Sequence, residues 1–117
     1  MLQVHDHGYQ LTFANGLMVS VAFSERNYCA NRYKDGAPNH CDNAEIAVFR
    51  GDEHLFVDGS CKFDDDGNVV CPQSDTGWKT ADEIAAATAI VATMDRDITQ
   101  QEVIRLIHEC FHEATPA

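Results

Sequence analysis

The sequence predicts an α+β fold: an N-terminal antiparallel sheet of about four to five strands, followed by two C-terminal helices packed against it. Three observations carry this expectation. Short β-rich runs separated by turn dipeptides fill the first half of the chain. Two capping boxes, Thr80-Ala-Asp-Glu83 and Thr99-Gln-Gln-Glu102, open helical periods in the second half. All the strands precede the helices, which favours helices gathered on one side of an antiparallel sheet over βαβ units. With 117 residues the chain reads as one domain, 1–117, long enough for a core without staples.

The first element is a hairpin. "YQLTFANGLMVSVAF" holds two β-rich runs around Asn15-Gly16, a strong short-range hairpin signal. A two-residue loop there pairs Phe13 with Met18, Leu11 with Ser20 and Tyr9 with Ala22, and puts Thr12, Leu17, Val19 and Val21 on the opposite face. Both faces then carry apolar residues, so a second layer is expected over each, and another protomer is a candidate for one of them. A polar, aperiodic segment follows from Ser24 to about Asn43; segments of this length inside a small domain are usually functional. "AEIAVFR" (44–50) and "HLFV" (54–57) read as strands around a Gly51-Asp52 turn, and "KFDDDGNVV" as a further hairpin turning at Asp66-Gly67. The first helix is expected over about Ala81 to Met94, with Ile84, Ala87, Val91 and Met94 on its buried stripe. The second is expected over about Gln100 to Ala114, with Val103, Ile107, Cys110 and Ala114 buried and Ile104 and Phe111 at the edge.

Charge and cysteines narrow the functional classes. A net charge of −11 argues against a nucleic-acid polymer or an anionic membrane as partner. No apolar run approaches a membrane span, and "MLQVHDHGYQLTF" lacks the pattern of a signal peptide, so a cytoplasmic location is expected. The five cysteines, Cys29, Cys41, Cys61, Cys71 and Cys110, include no C-x-x-C. Cys29 with Cys41, or Cys61 with Cys71, could pair in an oxidising compartment; in a reducing cytosol they are expected as free thiols.

Several short motifs invite a chemical reading. "HECFH" (108–112) matches H-E-x-x-H, in which two histidines one helical turn apart hold zinc and the glutamate is a general base. His108 and His112 are expected on the polar face of the last helix. A catalytic zinc needs a third protein ligand, for which little sequence follows, and the cation of Arg105 one turn earlier opposes metal binding. Arg105, His108 and His112 could instead form an anion stripe, or be basic residues favoured near a helix C-terminus. "HDH" at 5–7 could place His5 and His7 on one strand face, against a frayed N-terminus as the plainer reading. "DDDGN" (64–68) fails the spacing of a calcium loop, since Lys62 and Gln73 would fall at its first and twelfth places. Trp78, the only tryptophan, either packs onto the following helix or stacks on a base beside a helix N-terminus.

"FANGLMVSVAF" (13–23), "NYCANR" (27–32), "AEIAVF" (44–49) and "GWKTADEIA" (77–85) together resemble the first type of phage Thoeris anti-defence protein. The resemblance implies a non-enzymatic sponge in the cytoplasm of the infected bacterial host. Such proteins sequester cyclic ADP-ribose isomers, and in some members cyclic dinucleotides such as cGAMP, between protomers of a dimer or hexamer. It implies neither a cofactor nor a metal. For the signal site it implies Trp78, Thr88 (where an amide is expected), Arg105 and Arg50; for the cyclic-dinucleotide site, Leu17 (where an aromatic is expected), Asn43 and Ala44. Two other readings stay open: a small zinc protein using the HECFH helix, and a purely structural oligomer.

Overall fold

Leu17, Val19 and Val21 alternate with Met18, Ser20 and Ala22, and the first set is buried while the second is half-buried, as one covered sheet face requires. A computed structural model of the chain describes residues 1–57, 62–63, 65–66, 69–70 and 76–114. Its main sheet is built from β1 (Leu2–His5), β2 (Gly8–Thr12), β3 (Leu17–Ala22), β4 (Asn43–Arg50) and β5 (Glu53–Phe56), antiparallel and in that spatial order. A small separate hairpin joins β6 (Lys62–Phe63) to β7 (Val69–Val70). A two-residue strand, β8 (Lys79–Thr80), pairs with the start of β4, Asn43 with Thr80 and Ala44 with Lys79. Two helices follow, α1 (Ala81–Thr93) and α2 (Gln100–Ala114). The expected α+β architecture is therefore present.

The hairpin at Asn15-Gly16 differs from expectation by one residue. Thr12 faces Met18, Leu11 faces Val19 and Tyr9 faces Val21. The loop has three residues, closed by the Gly16 N–H donating to the Phe13 carbonyl and the Phe13 N–H to the Leu17 carbonyl. Gly16 sits at φ +83°, the left-handed turn position of a three-residue hairpin, where glycine carries no Cβ penalty. A one-residue slip moves every side chain to the other face. Leu17, Val19 and Val21 thus share one face with Tyr9, Leu11 and Phe13, and the other carries Gly8, Gln10, Thr12, Met18, Ser20 and Ala22. The expected two-sided apolar hairpin is not there, and with it goes the reason given for a protomer on the second face.

The covered face meets the helices. Ile84, Ala87, Val91 and Met94 from α1, and Val103, Ile104, Ile107 and Phe111 from α2, close over Leu17, Val19, Val21, Ile46, Val48, Leu55 and Phe56. The α1 stripe is the expected one. The α2 stripe is rotated towards Ile104 and Phe111, leaving Cys110 half-buried. Thr80 caps α1 with the full reciprocal box: its hydroxyl accepts from the Glu83 N–H while the Glu83 carboxylate accepts from the Thr80 N–H. At α2 the Thr99 hydroxyl accepts from the Glu102 N–H, but the Glu102 carboxylate turns to Arg105. Met94 ends α1, and Asn15 donates from Nδ2 to the Val91 and Met94 carbonyls, each at 2.9 Å, tying the hairpin turn to the last turn of the helix.

The N-terminal residues are an edge strand rather than a frayed end: β1 pairs with β2 from Leu2 with Leu11 to His5 with Gly8. His7 lies in the turn at φ +61°, so His5 and His7 do not share a strand face. The Ser24–Asp42 segment has no helix or strand and forms a strap of turns beside the start of β4. Buried Asn31 organises it, donating from Nδ2 to the Phe23, Pro38 and His40 carbonyls.

Candidate functional site

The sheet has two ends, and they use their polar groups differently. At the end that holds the Asn15 turn, Arg50 donates from Nη1 to the Arg96 and Ile98 carbonyls at 2.9 and 2.7 Å. Its Nη2 makes a paired contact to both Glu53 oxygens at 2.9 and 2.8 Å. The guanidinium thus closes the α1–α2 link against β5. Leu17, opposite Arg50 in the register, is completely buried.

At the other end a cleft of about 500 Å³ opens between the first turns of α1 and the sheet. Asn43, Ala44 and Thr88, three of the residues assigned by resemblance, line it together, alongside Tyr9, Phe23 and Cys41. Asn43 is held by the strap: its Oδ1 accepts from the Ala30 N–H at 2.7 Å, and its amide nitrogen carries no hydrogen bond among the described residues. The Thr88 hydroxyl donates back to the Ile84 carbonyl at 2.7 Å, so only its lone pairs are left for a ligand. Burial pushes the Tyr9 phenol up from its ordinary value, which keeps it neutral at this wall. Asp42 is the charged residue of the lining, so the cleft suits an uncharged planar group with hydrogen-bonding edges better than a phosphate.

Trp78 stands next to the β8 pairing that adjoins this cleft. Its backbone is left-handed, φ +57°, an outlier for a bulky residue that costs on the order of 1–3 kcal/mol. Contacts on either side hold it there. The Trp78 N–H donates to the Tyr28 carbonyl at 2.7 Å, and Gly77 lies so close to Tyr28 that an added Cβ would meet the Tyr28 Cβ at 2.3 Å. Trp78 is nevertheless 50% exposed. The residue before the cap, Lys79, instead sets its ammonium 4.2 Å over the Phe111 ring.

Arg105 is exposed on α2 and bracketed by carboxylates: Nε and Nη2 bond Glu102, and Nη1 bonds Glu109 at 2.8 Å. The Glu102 side chain raises its pKa further and is itself lowered by Arg105. His108 is not on the polar face as expected. Its ring lies edge-on to Phe56, centroids 5.8 Å apart, while His112 is exposed. The two histidines are therefore in different environments, and no group of three His, Cys, Asp or Glu able to hold a metal occurs among the described residues.

The structure thus joins Asn43, Ala44 and Thr88 and sets Trp78 nearby. It separates them from Arg50 and Leu17: Ala44 and Arg50 are six residues apart on β4, about 20 Å at the strand rise. Sequence reasoning missed Tyr9 and Phe23 as cleft walls. It also missed the aromatic–cation group of the strap, where the Arg32 guanidinium lies 4.1 Å from the Tyr28 ring centre and 4.7 Å from that of Tyr33. The alternation of Tyr and Arg in "NYCANRY" was the available signal.

Compared with known proteins, the chain matches no family model, no curated protein and no solved structure. No helix among the described residues is long and apolar enough to cross a membrane.

Proposed function

We propose that this chain is a small-molecule binding domain that sequesters cyclic nucleotide immune signals without cleaving them. The ligands are cyclic ADP-ribose isomers, with cyclic dinucleotides such as cGAMP as a further class. The setting is the cytoplasm of an infected bacterial host, as a phage anti-defence protein. The observation that carries the reading is Trp78: a strained backbone holds a half-exposed aromatic residue directly before β8, the strand that pairs with Asn43 and Ala44 of the cleft wall. Strain of this kind is retained where function, rather than stability, uses the geometry. Trp78 stacks on adenine, which needs only a π-face, and the Asn43 amide nitrogen donates to an edge of the ligand. The pyrophosphate falls to Arg105. Its glutamate partners are exposed, such pairs hold weakly in water, and a phosphate can take their place at the same guanidinium fork. Arg50 stays with the backbone carbonyls it already holds.

The same proposal includes assembly into a dimer or hexamer. Its support is the outer strand β1 and the residue before it: Met1, Leu2 and Val4 are 81%, 66% and 75% exposed. An apolar edge strand with unpaired backbone is a template for another chain.

The test is to incubate the purified protein with a cyclic ADP-ribose isomer, remove it by filtration, and denature it. The expected result is depletion of the ligand from solution and its intact recovery. Recovery of a cleaved product would make the protein an enzyme, and an undepleted solution would refute binding.

A further inference from the structure

Two cysteines meet where the strap joins the cleft. Cys29 is completely buried, and its thiol donates to the Ser24 carbonyl at 3.5 Å. Cys41 is half-buried, lines the cleft, and its thiol donates to Asn43 Oδ1 at 3.8 Å. Both are free thiols, on segments that hydrogen bonds tie together. Two hydrogen bonds from the residues after Cys29 reach the residues on either side of Cys41. Asn31, two residues after Cys29, donates to the carbonyl of His40, the residue before Cys41, at 3.0 Å. Ala30, the residue after Cys29, donates its N–H to Asn43, two residues after Cys41, at 2.7 Å. These ties keep the two thiols in one neighbourhood of the fold, where a disulfide must form if it forms at all.

We infer that Cys29 and Cys41 are a reversible oxidation site for hydroperoxides, with Cys41 as the attacking thiol and Cys29 as the resolving thiol. The Cys41 thiolate displaces hydroxide from hydrogen peroxide and becomes a sulfenic acid; the peroxide is reduced and the sulfur oxidised. The Cys29 thiol then attacks that sulfur, the sulfenic oxygen leaves as water with the thiol proton, and a disulfide closes. A cellular dithiol or thiol reverses it.

The order follows from exposure and from acidity. Cys41 reaches the cleft, whereas Cys29 is the fully buried cysteine of the strap. Burial alone would raise both thiols. At Cys41, hydrogen bonds from the backbone of Asn43, Asn31 and Ala30 and from the Cys29 thiol outweigh burial and hold it below the ordinary thiol value. At Cys29 burial prevails and the thiol stays high. Cys110, on α2, is also raised by burial and by the charges of Glu113 and Glu109, so it is the less reactive control.

The experiment uses the reduced full chain, a short exposure to hydrogen peroxide, alkylation of the remaining thiols, and tryptic peptide mapping. Cleavage after Arg26, Arg32, Lys34 and Arg50 places Cys29 in peptide 27–32 and Cys41 in peptide 35–50. The expected product joins those two peptides, disappears with dithiothreitol, and forms at least ~10-fold faster than Cys110 is oxidised. The oxidised protein should melt roughly 5 °C or more above the reduced one, because the bond closes a short loop in the unfolded chain. In Cys29→Ser, Cys41 should accumulate as a dimedone-trapped sulfenic acid. In Cys41→Ser, Cys29 should stay reduced at the same dose. Links to other cysteines in preference to this one, or equal oxidation of Cys41 and Cys110, would overturn the assignment. None of these readouts depends on a nucleotide ligand.

Discussion

The two ends of the sheet contain similar residues put to opposite uses. At the turn end, Arg50 and Asn15 direct their donors onto backbone carbonyls of the α1–α2 link and the last turn of α1. These carbonyls lie at the end of α1 and in the link after it, where the helical ladder runs out, so the side chains remove a desolvation cost that the fold would otherwise carry. At the strap end, Trp78 and Tyr33 sit at positive φ with their rings in solvent, and a cleft stays open against α1. One end is satisfied and the other holds strain and exposed aromatic surface. Stability and ligand binding should therefore separate by location.

Substitutions at the turn end give the largest loss of stability. Arg50→Ala breaks the contacts to two carbonyls and to Glu53, and should lower stability by roughly 2–3 kcal/mol in urea titrations without weakening ligand binding. A binding loss equal to that of a strap-end variant would break the comparison. Asn15→Ala removes both bonds to α1 and the one its Oδ1 accepts from the Leu17 N–H, and should cost about 1–2 kcal/mol by the same measurement. Arg105→Ala should leave the urea midpoint almost unchanged, because its ion pairs are exposed, while weakening binding of a pyrophosphate-containing ligand. Retained affinity in that variant would remove Arg105 from the site.

The smallest effect concerns pH. The Tyr9 phenol is raised above 10.0 by burial, so above that value the unfolded chain gives up this proton before the folded one does. Stability should fall as pH rises from the unfolded value towards the folded one. Tyr9→Phe should reduce that fall in alkaline melts, and an identical profile would show that the phenol titrates alike in both states.

The helices were legible because their signals are local. Thr80 with Glu83 fixes where α1 starts, and the 3.6-residue spacing of Ile84, Ala87 and Val91 fixes which side is buried. The hairpin was legible in place but not in register. Asn-Gly serves loops of two or three residues, and the choice here depends on Asn15 reaching α1, a contact 76 residues away in sequence. That one residue decided which face of the sheet was apolar. His108 was misplaced because helical angle alone cannot foresee the Phe56 ring from β5. The cleft drew Asn43, Ala44 and Thr88 together through β4 and α1, but its aromatic walls, Tyr9 and Phe23, come from β2 and the residue after β3, whose packing no local pattern encodes. The loop containing Cys29 and Cys41 was marked by its length and by the chance that the two cysteines pair, but not by which of them is buried.

The central claim is that Trp78 is held out for a ligand rather than for the fold, and Trp78→Gly tests it most directly. Glycine accepts the left-handed backbone freely, so the variant should melt within about 1 kcal/mol of the unmodified protein. Equilibrium dialysis against a cyclic ADP-ribose isomer should then show affinity reduced roughly 5- to 150-fold, the range of one lost base–aromatic stack. Equal affinity in the two proteins, at equal stability, would contradict the account.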